Sequence, residues 1–304
     1  MTEQATTMTD LKNLEAQEDI ARVGEFARFW RSLFRNPGAR IGFVIVVVLV
    51  FVSLTAPWIS PHEPLKMGVG PKLQPPGAEH LLGTDEFGRD LLSRMIYGAR
   101  LTLIVGLVAV GISATAGVLV GLVAGYAGSM VENVLMRAID VLFSFTDFLI
   151  ALSAVAILGP SLKNAIIAVG IAGIPFYARV VHSAVLVERE KDYFLATEAV
   201  GAGHLRLIFN HLLPNVASPL LIIGTLGVAT AILNAAGLSF LGLGAQPPSP
   251  EWGAMLSAGR QYLTRAPWVA TFPGIAIAAV VLGFNLLGDG IREAIDPTQR
   301  RQRG

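Results

Sequence analysis

The residues best able to contact a partner protein lie in one polar segment, 192–215, between long apolar runs. The charged residues 188–191 come directly before it, and the core of a bilayer would not hold them. Gly201 divides the segment into two helix-prone halves, and glycine can take the positive φ that lets two short helices meet at an angle. Pro214 fits the first turn of the next helix. The pattern predicts a bent loop on the membrane surface that docks in another protein's groove, with an ordinary connecting loop as the alternative.

A second group of residues that could do chemistry is charged and consists of Asp85, Glu86, Arg89, Asp90 and Arg94. Carboxylates this close to arginines predict a local charge network, because the guanidinium fork matches carboxylate geometry. An acidic metal site is the less favoured alternative, because the arginines would occupy the same carboxylates.

These charged residues belong to a long loop rich in Pro and Gly, 59–100. Loops of such length are usually functional. Gly83 and Thr84 are typical of a turn that leads into a helix cap. Either Thr84 or Asp85 is expected to cap a helix that starts at Phe87.

Three further features have a candidate role. Asp147 lies in an apolar run, where an ionisable group is a functional candidate, although an interfacial role is favoured here. His182 is a weak metal or proton-relay candidate, because no second ligand lies four residues further on. Small residues at Gly117, Gly121 and Gly125 let two helices approach closely in lipid, and packing within the subunit is favoured over a dimer face.

Other classes of chemistry lack their sequence signals. The chain has no cysteine, which excludes disulfides and thiolate metal sites. It has no Gly-Lys-Ser/Thr, so any ATP would bind on another chain, and no His-Glu-x-x-His arrangement. A net charge of +1 gives no reason to expect nucleic acid. We therefore predict no catalytic, cofactor-binding or metal-binding residue in this chain.

The elements that carry these residues are membrane helices. Of the 304 residues, 53% are hydrophobic and 15% are charged, against about 25% charged in soluble domains. Apolar runs long enough for a core of ~30 Å predict an all-α polytopic membrane protein with six transmembrane helices. These are expected at 41–58, 101–131, 141–158, from 163 past 179, 212–243 and 270–287.

The remaining segments are assigned around these spans. Residues 1–40 are expected to be an amphipathic segment on the membrane surface, with Phe26, Trp30, Leu33 and Phe34 at helical spacing. The other predicted units are the loop 59–100, a five-helix core over 101–290, an irregular loop over 238–256 and a tail over 291–304.

The distribution of Lys and Arg predicts that both termini are cytoplasmic. With that orientation, 15 of the 23 Lys and Arg residues are inside and eight are outside. The inside segments are 1–40, 125–137, 179–215 and 291–304.

The segment 192–215 resembles the coupling loop of ABC importer permeases, whose pattern is Glu-Ala-Ala, three residues, Gly, nine residues, Ile, one residue, Leu-Pro. The matching positions are Ala196, Gly201, Leu213 and Pro214, and the departures are Leu195, Thr197 and His211. The spacing from the glycine to the final pair is kept. The coupling loop is assigned to 187–215.

The loop 59–100 resembles, more specifically, the segment before the second core helix of dipeptide/oligopeptide/nickel permeases. It contains the series Gly-Thr-Asp, Gly-Arg-Asp, Ser-Arg and Tyr-Gly-Ala-Arg. Its motif residues are Gly83, Thr84, Asp85, Gly88, Arg89 and Asp90. The chain is similar to that subfamily over roughly 78–297, and it has the N-terminal helix of one of the two paired subunit types.

The resemblance implies a type I ABC importer permease in a bacterial plasma membrane, with lipid around it. It implies a second homologous permease, two ATP-binding subunits that hold ATP and Mg, and an extracytoplasmic substrate-binding protein. This chain would form half of the pathway and would not be an enzyme by itself. The residues expected to couple it to the ATPases are Ala196, Glu198, Gly201, Leu205, Arg206, Leu213 and Pro214.

The expected substrates are di- or oligopeptides, with nickel or another small solute as the alternative within the family. An ion-coupled secondary transporter and a membrane subunit that transports nothing are the alternatives from other classes. Asp147 is the one acidic candidate for ion coupling.

Overall fold

The computed structural model describes residues 29–295, which are helical apart from loops and one isolated β-bridge between Thr84 and Asp90. The α-helices are α1 Pro37–Ile59, α2 Leu91–Tyr126, α3 Ser129–Phe143, α4 Asp147–Leu158, α5 Leu162–Arg189, α6 Asp192–Ala199, α7 His204–Arg206, α8 Leu213–Phe240, α9 Trp252–Gly259 and α10 Trp268–Ile295. A π-helix, Leu207–Leu212, joins α7 to α8, and a 3-10 helix, Arg260–Tyr262, follows α9.

Within residues 29–295, five helical stretches are long and apolar enough to cross a membrane, namely α1, α2, α5, His204–Phe240 and α10. The number becomes six when α3 and α4, which meet at 90°, are one span. The predicted all-α fold with six spans is confirmed. The prediction of one regular span over 141–158 is wrong, because the chain breaks between Phe143 and Asp147. Asp147 stands in the first turn of α4, where a helix N-terminus favours a carboxylate.

The loop between the first two spans is shorter than the sequence predicted. Helix α2 begins at Leu91, inside the predicted loop 59–100, and ends at Tyr126. We call residues 60–90 the α1–α2 loop. The sequence predicted a helix from Phe87 and a separate span from residue 101, and the structure joins the two in one helix that begins at Leu91.

The prediction that Thr84 or Asp85 caps this helix is wrong. The N-cap is Asp90, whose carboxylate accepts a hydrogen bond from the Ser93 N–H at 2.8 Å. The Asp85 carboxylate accepts bonds from the Phe87 and Arg89 N–H groups in the turn before the helix instead.

Two predictions for the C-terminal half also need correction. The segment 238–256 contains the end of α8 and the start of α9, so it is less irregular than expected. Helix α10 continues to Ile295, so the predicted tail 291–304 starts as helix.

The predicted amphipathic segment is described from residue 29 onward, and Phe26 lies outside the described residues. Trp30 stacks on Phe34 with ring centroids 5.4 Å apart. Leu33 is buried and packs with Ala294 at the end of α10. This segment therefore packs against the C-terminal helix.

Gly117, Gly121 and Gly125 form a stripe on α2 that faces α5. A Cβ added at any of them would lie 2.4 to 2.7 Å from an atom of α5. The stripe thus lets two spans of the same subunit approach closely, as small residues do in lipid.

Candidate functional site

The coupling loop folds as two short helical pieces around one bend. Helix α6 ends at Ala199, with Val200 as its C-cap. Gly201 then takes a φ of +86°, and its N–H donates to the Glu198 carbonyl at 2.9 Å. This is the left-handed C-terminal residue of a helix, which glycine adopts without steric cost. The second piece starts after Gly203 with α7.

Three buried side chains fasten the coupling loop to the membrane helices. Phe194 and Leu207 are 1% exposed and Leu212 is fully buried. They share an apolar cluster with Val181 and Val185 of α5. Burial of large apolar side chains is the main source of local stability, so the loop keeps a fixed place on the protein.

Other apolar side chains of the coupling loop point away from the protein. Val200 is 90% exposed, Leu205 is 72% exposed and Phe209 is 59% exposed. We call these three residues the apolar patch. Large apolar side chains exposed in a polar segment are candidates for contact with a partner. Sequence reasoning missed Val200 and Phe209, because exposure cannot be read from residue type.

The structure gives each predicted coupling residue a place. Leu213 is half-buried and packs against the apolar cluster that fastens the loop. The others are exposed and are Ala196, Glu198, Gly201, Leu205, Arg206 and Pro214. The exposed positions can contact a partner, whereas Leu213 supports the loop from inside.

The second helical piece continues into the membrane without a break. The π-helix Leu207–Leu212 connects α7 directly to α8, and Pro214 stands in the first turn of α8. Proline lacks an N–H, and a wider π turn just before it accommodates the missing hydrogen bond. Helix α7, the π-helix and α8 therefore form one continuous helical stretch, His204–Phe240.

Polar contacts hold the first helical piece. Glu188 accepts hydrogen bonds from Lys191 and Tyr193. Burial, with Glu188 beside it, raises the pKa of Tyr193 to about 12, so the phenol keeps its proton. Arg189 donates to the Gly125 carbonyl of α2 at 2.7 Å.

The α1–α2 loop is organised around one buried carboxylate, Asp85. It accepts from Arg89 Nε at 2.5 Å, and Arg94 Nε lies 3.4 Å away. Glu86 is 3.4 Å from Arg89. The predicted charge network is present, with Asp90 outside it. Gly83 and Gly88 have φ values of +81° and +69° and make the turns on either side.

The same loop is tied to the C-terminal half of the chain. Arg94 donates to the carbonyls of Pro248 and Ser249 at 3.3 Å, and Trp268 donates to the Thr84 carbonyl at 3.4 Å. No sequence signal indicated these partners, because carbonyl acceptors exist at every residue.

Comparison with known proteins assigns the chain. Residues 117–301 match the family described as "Binding-protein-dependent transport system inner membrane component". Residues 25–76 match "N-terminal TM domain of oligopeptide transport permease C". The chain belongs to this permease family. The predicted ABC importer permease is thereby confirmed, and the protein is a multi-pass membrane subunit whose family implies ATPase partners.

Relatives of this permease match it along most of its length. The dipeptide transport system permease protein DppC of Escherichia coli K12 is 47% identical over 95% of this chain and 98% of its own length. The di/tripeptide transport system permease protein DppC of Pseudomonas aeruginosa is 46% identical over 88% and 91%.

A solved structure shares the permease fold. It is the inward-facing MetNI methionine ABC transporter, with a TM-score of 0.54 and 21% identity, which covers 68% of this chain and 98% of that one. This likeness supports the type I importer fold.

The permease also has a cavity of about 180 Å³ between α2, α4, α5 and α8. The polar side chains in its lining are Ser113, Asp147, Tyr177, Thr230 and Asn234. The Asp147 side chain is exposed on the single subunit.

His182, a weak metal or proton-relay candidate in the sequence, has a carboxylate partner. Its Nε2 lies 2.9 Å from Glu132 Oε1. The pair joins α5 to α3 next to the coupling loop.

Proposed function

We propose that this permease imports di- or oligopeptides as half of a pathway completed by a second, homologous permease. Two ATP-binding subunits that hold ATP and Mg drive the cycle, and an extracytoplasmic substrate-binding protein supplies the peptide. The observation that carries the proposal is the 47% identity with a dipeptide permease along nearly the whole chain.

In this proposal both termini and the coupling loop lie in the cytoplasm of a bacterium, and the α1–α2 loop lies outside. The excess of Lys and Arg in the segments then inside, 15 of 23, supports this orientation. The apolar patch is what a groove on an ATP-binding subunit would cover.

The coupling loop then transmits motion in a simple way. When the ATP-binding subunits close, they push on the apolar patch, and the load passes through α7 and the π-helix into α8. Helix α8 lines the cavity that contains Asp147, so movement at the patch alters the pathway. The carboxylate can attract the peptide's N-terminal ammonium group.

The test is a matched pair of glycine variants in the reconstituted complex. An added Cβ meets nothing within 4 Å at either Gly201 or Gly203, but φ is +86° at the first and −66° at the second. Gly201→Val is therefore strained and Gly203→Val is not.

We expect Gly201→Val to reduce ATP-dependent peptide uptake in proteoliposomes at least tenfold per ATP hydrolysed, while insertion is retained. Gly203→Val should keep the wild-type ratio. Unchanged uptake in Gly201→Val would contradict the coupling role. Native mass spectrometry of the complex should recover a second permease and two ATP-binding subunits, and recovery of this chain alone would contradict the assembly.

A further inference from the structure

Two histidines and an aspartate converge in the α1–α2 loop, apart from the charge network of Asp85. Each of His62, His80 and Asp90 offers one ligand atom, and these atoms lie within 4.8 Å of one another. His80 Nδ1 is 2.9 Å from Asp90 Oδ1, and His62 Nδ1 is 3.8 Å from Asp90 Oδ2. Their spacing in the sequence does not predict that these three residues meet, because they are far apart along the chain.

Neighbouring hydrogen bonds hold the three residues in position. Ser93 donates to Asp90 through its hydroxyl at 2.6 Å and its N–H at 2.8 Å. The Ser93 hydroxyl also accepts a hydrogen bond from the backbone N–H of His62 at 3.0 Å. His80, Asp90 and Ser93 are each at most 4% exposed. Ligands oriented by such outer contacts are characteristic of metal sites.

One buried nitrogen atom in the group has no hydrogen-bond partner in the described part of the chain. His62 Nδ1 is buried and has no hydrogen-bond partner among residues 29–295. A buried polar atom without a partner is costly. Its separation from Asp90 is too long for a hydrogen bond, but two ligands of one ion, each about 2.0–2.2 Å from it, can lie about that far apart.

We propose that His62, His80 and Asp90 bind one divalent transition-metal ion of the Zn²⁺ class. Two imidazoles and one carboxylate suit Zn²⁺, Co²⁺ or Ni²⁺, whereas Mg²⁺ and Ca²⁺ prefer oxygen ligands alone. Both histidines would bind through Nδ1 and carry their proton on Nε2. Metal binding would therefore replace the His80 Nδ1–Asp90 Oδ1 hydrogen bond and release any proton on Nδ1 to solvent. The ion ties the segment after α1 to the cap of α2, because His62 follows the first and Asp90 caps the second.

The first experiment uses the full-length permease in detergent, purified through a tag without histidine and stripped with EDTA. After incubation with Zn²⁺ and desalting, we expect one ion per chain by elemental analysis and a higher Tm. His62→Ala should weaken Zn²⁺ binding more than about tenfold and abolish the Tm shift. His204→Ala, an exposed histidine in the coupling loop, is the control that should retain both. Equal retention of Zn²⁺ by His62→Ala, or none by the wild type, would overturn the proposal.

A second variant, His62→Cys, is measured by an absorption band that appears only when the ion binds. This test does not depend on whether His62→Ala folds. The chain has no cysteine, so in His62→Cys the only thiol stands at the proposed site. Addition of Co²⁺ to this variant should produce a thiolate-to-cobalt charge-transfer band, which the wild type lacks. A folded His62→Cys protein without that band would show that residue 62 does not face a metal ion.

Discussion

The α1–α2 loop and the coupling loop differ in which side chains they bury. The first buries a cluster of charged groups, and the second buries an apolar cluster and leaves other apolar side chains exposed. In the α1–α2 loop and the first turn of α2, the charged groups of Asp85, Arg89 and Arg94 are buried, at 3 to 4% exposure. In the coupling loop the apolar side chains of Val200 and Leu205 are the exposed ones, at 90 and 72%. Buried ion pairs hold the first loop against its own protein. The exposed apolar side chains of the second can still be buried by a partner.

The attachments of the two loops follow the same division. Arg94, at the start of α2, donates to the Pro248 carbonyl before α9, and the Thr84 carbonyl of the α1–α2 loop accepts from Trp268 at the start of α10. Distant parts of the chain therefore hold the loop and the start of α2 in place. The coupling loop ends in a π-helix that leads straight into α8.

Removal of the central carboxylate should give the largest effect. Asp85→Ala leaves Arg94 without its carboxylate partner and leaves Arg89 with Glu86 alone. Breaking a buried ion pair by removing one partner costs about 3–5 kcal/mol. We expect a loss of that size in thermal unfolding in detergent, with little folded protein recovered. Glu79→Ala, an exposed carboxylate in the same loop, should leave stability unchanged, and equal losses in both variants would argue against the network.

The next prediction separates the two roles of leucine in the coupling loop. Leu207→Ala removes a side chain that is 1% exposed, and such a truncation costs about 2–5 kcal/mol. Leu205→Ala removes one that is 72% exposed, so stability should change by less than about 0.5 kcal/mol. Binding of the ATP-binding subunits, measured by co-purification, should instead weaken in Leu205→Ala. Normal co-purification of that variant would remove Leu205 from the contact surface.

Sequence reasoning predicted the spans and the Gly201 bend because both depend on local chemistry. Apolar runs fix the helices in lipid, and glycine is the residue that enters positive φ at little cost. The helix expected from Phe87 and the span expected from residue 101 are one helix, because Arg94 in its first turns is buried by partners that only the folded chain brings together.

Two features could not be predicted from the sequence, namely the group of His62, His80 and Asp90 and the apolar patch. The physical reason is that both depend on how the chain folds in space. His62 and Asp90 meet only because the α1–α2 loop folds back from the end of α1 to the start of α2. Their separation in the sequence does not indicate this contact. Val200 and Leu207 are both apolar and near each other in sequence, yet one is exposed and the other buried. Which side of a bent loop meets the membrane helices depends on the bend angle, which composition does not specify.

The smallest expected effect tests how much of the rigidity of the α1–α2 loop comes from ion pairs alone. The Arg89 guanidinium lies over the Phe87 ring, 4.7 Å from its centroid. A cation–π contact at a partly exposed site is worth about 0.5–1 kcal/mol. Phe87→Leu keeps an apolar side chain and leaves both carboxylate partners of Arg89, so we expect a loss of no more than that in thermal unfolding. A loss close to that of Asp85→Ala would mean that the ring, and not the carboxylate, holds Arg89 in place, because the ion pair remains intact in this variant.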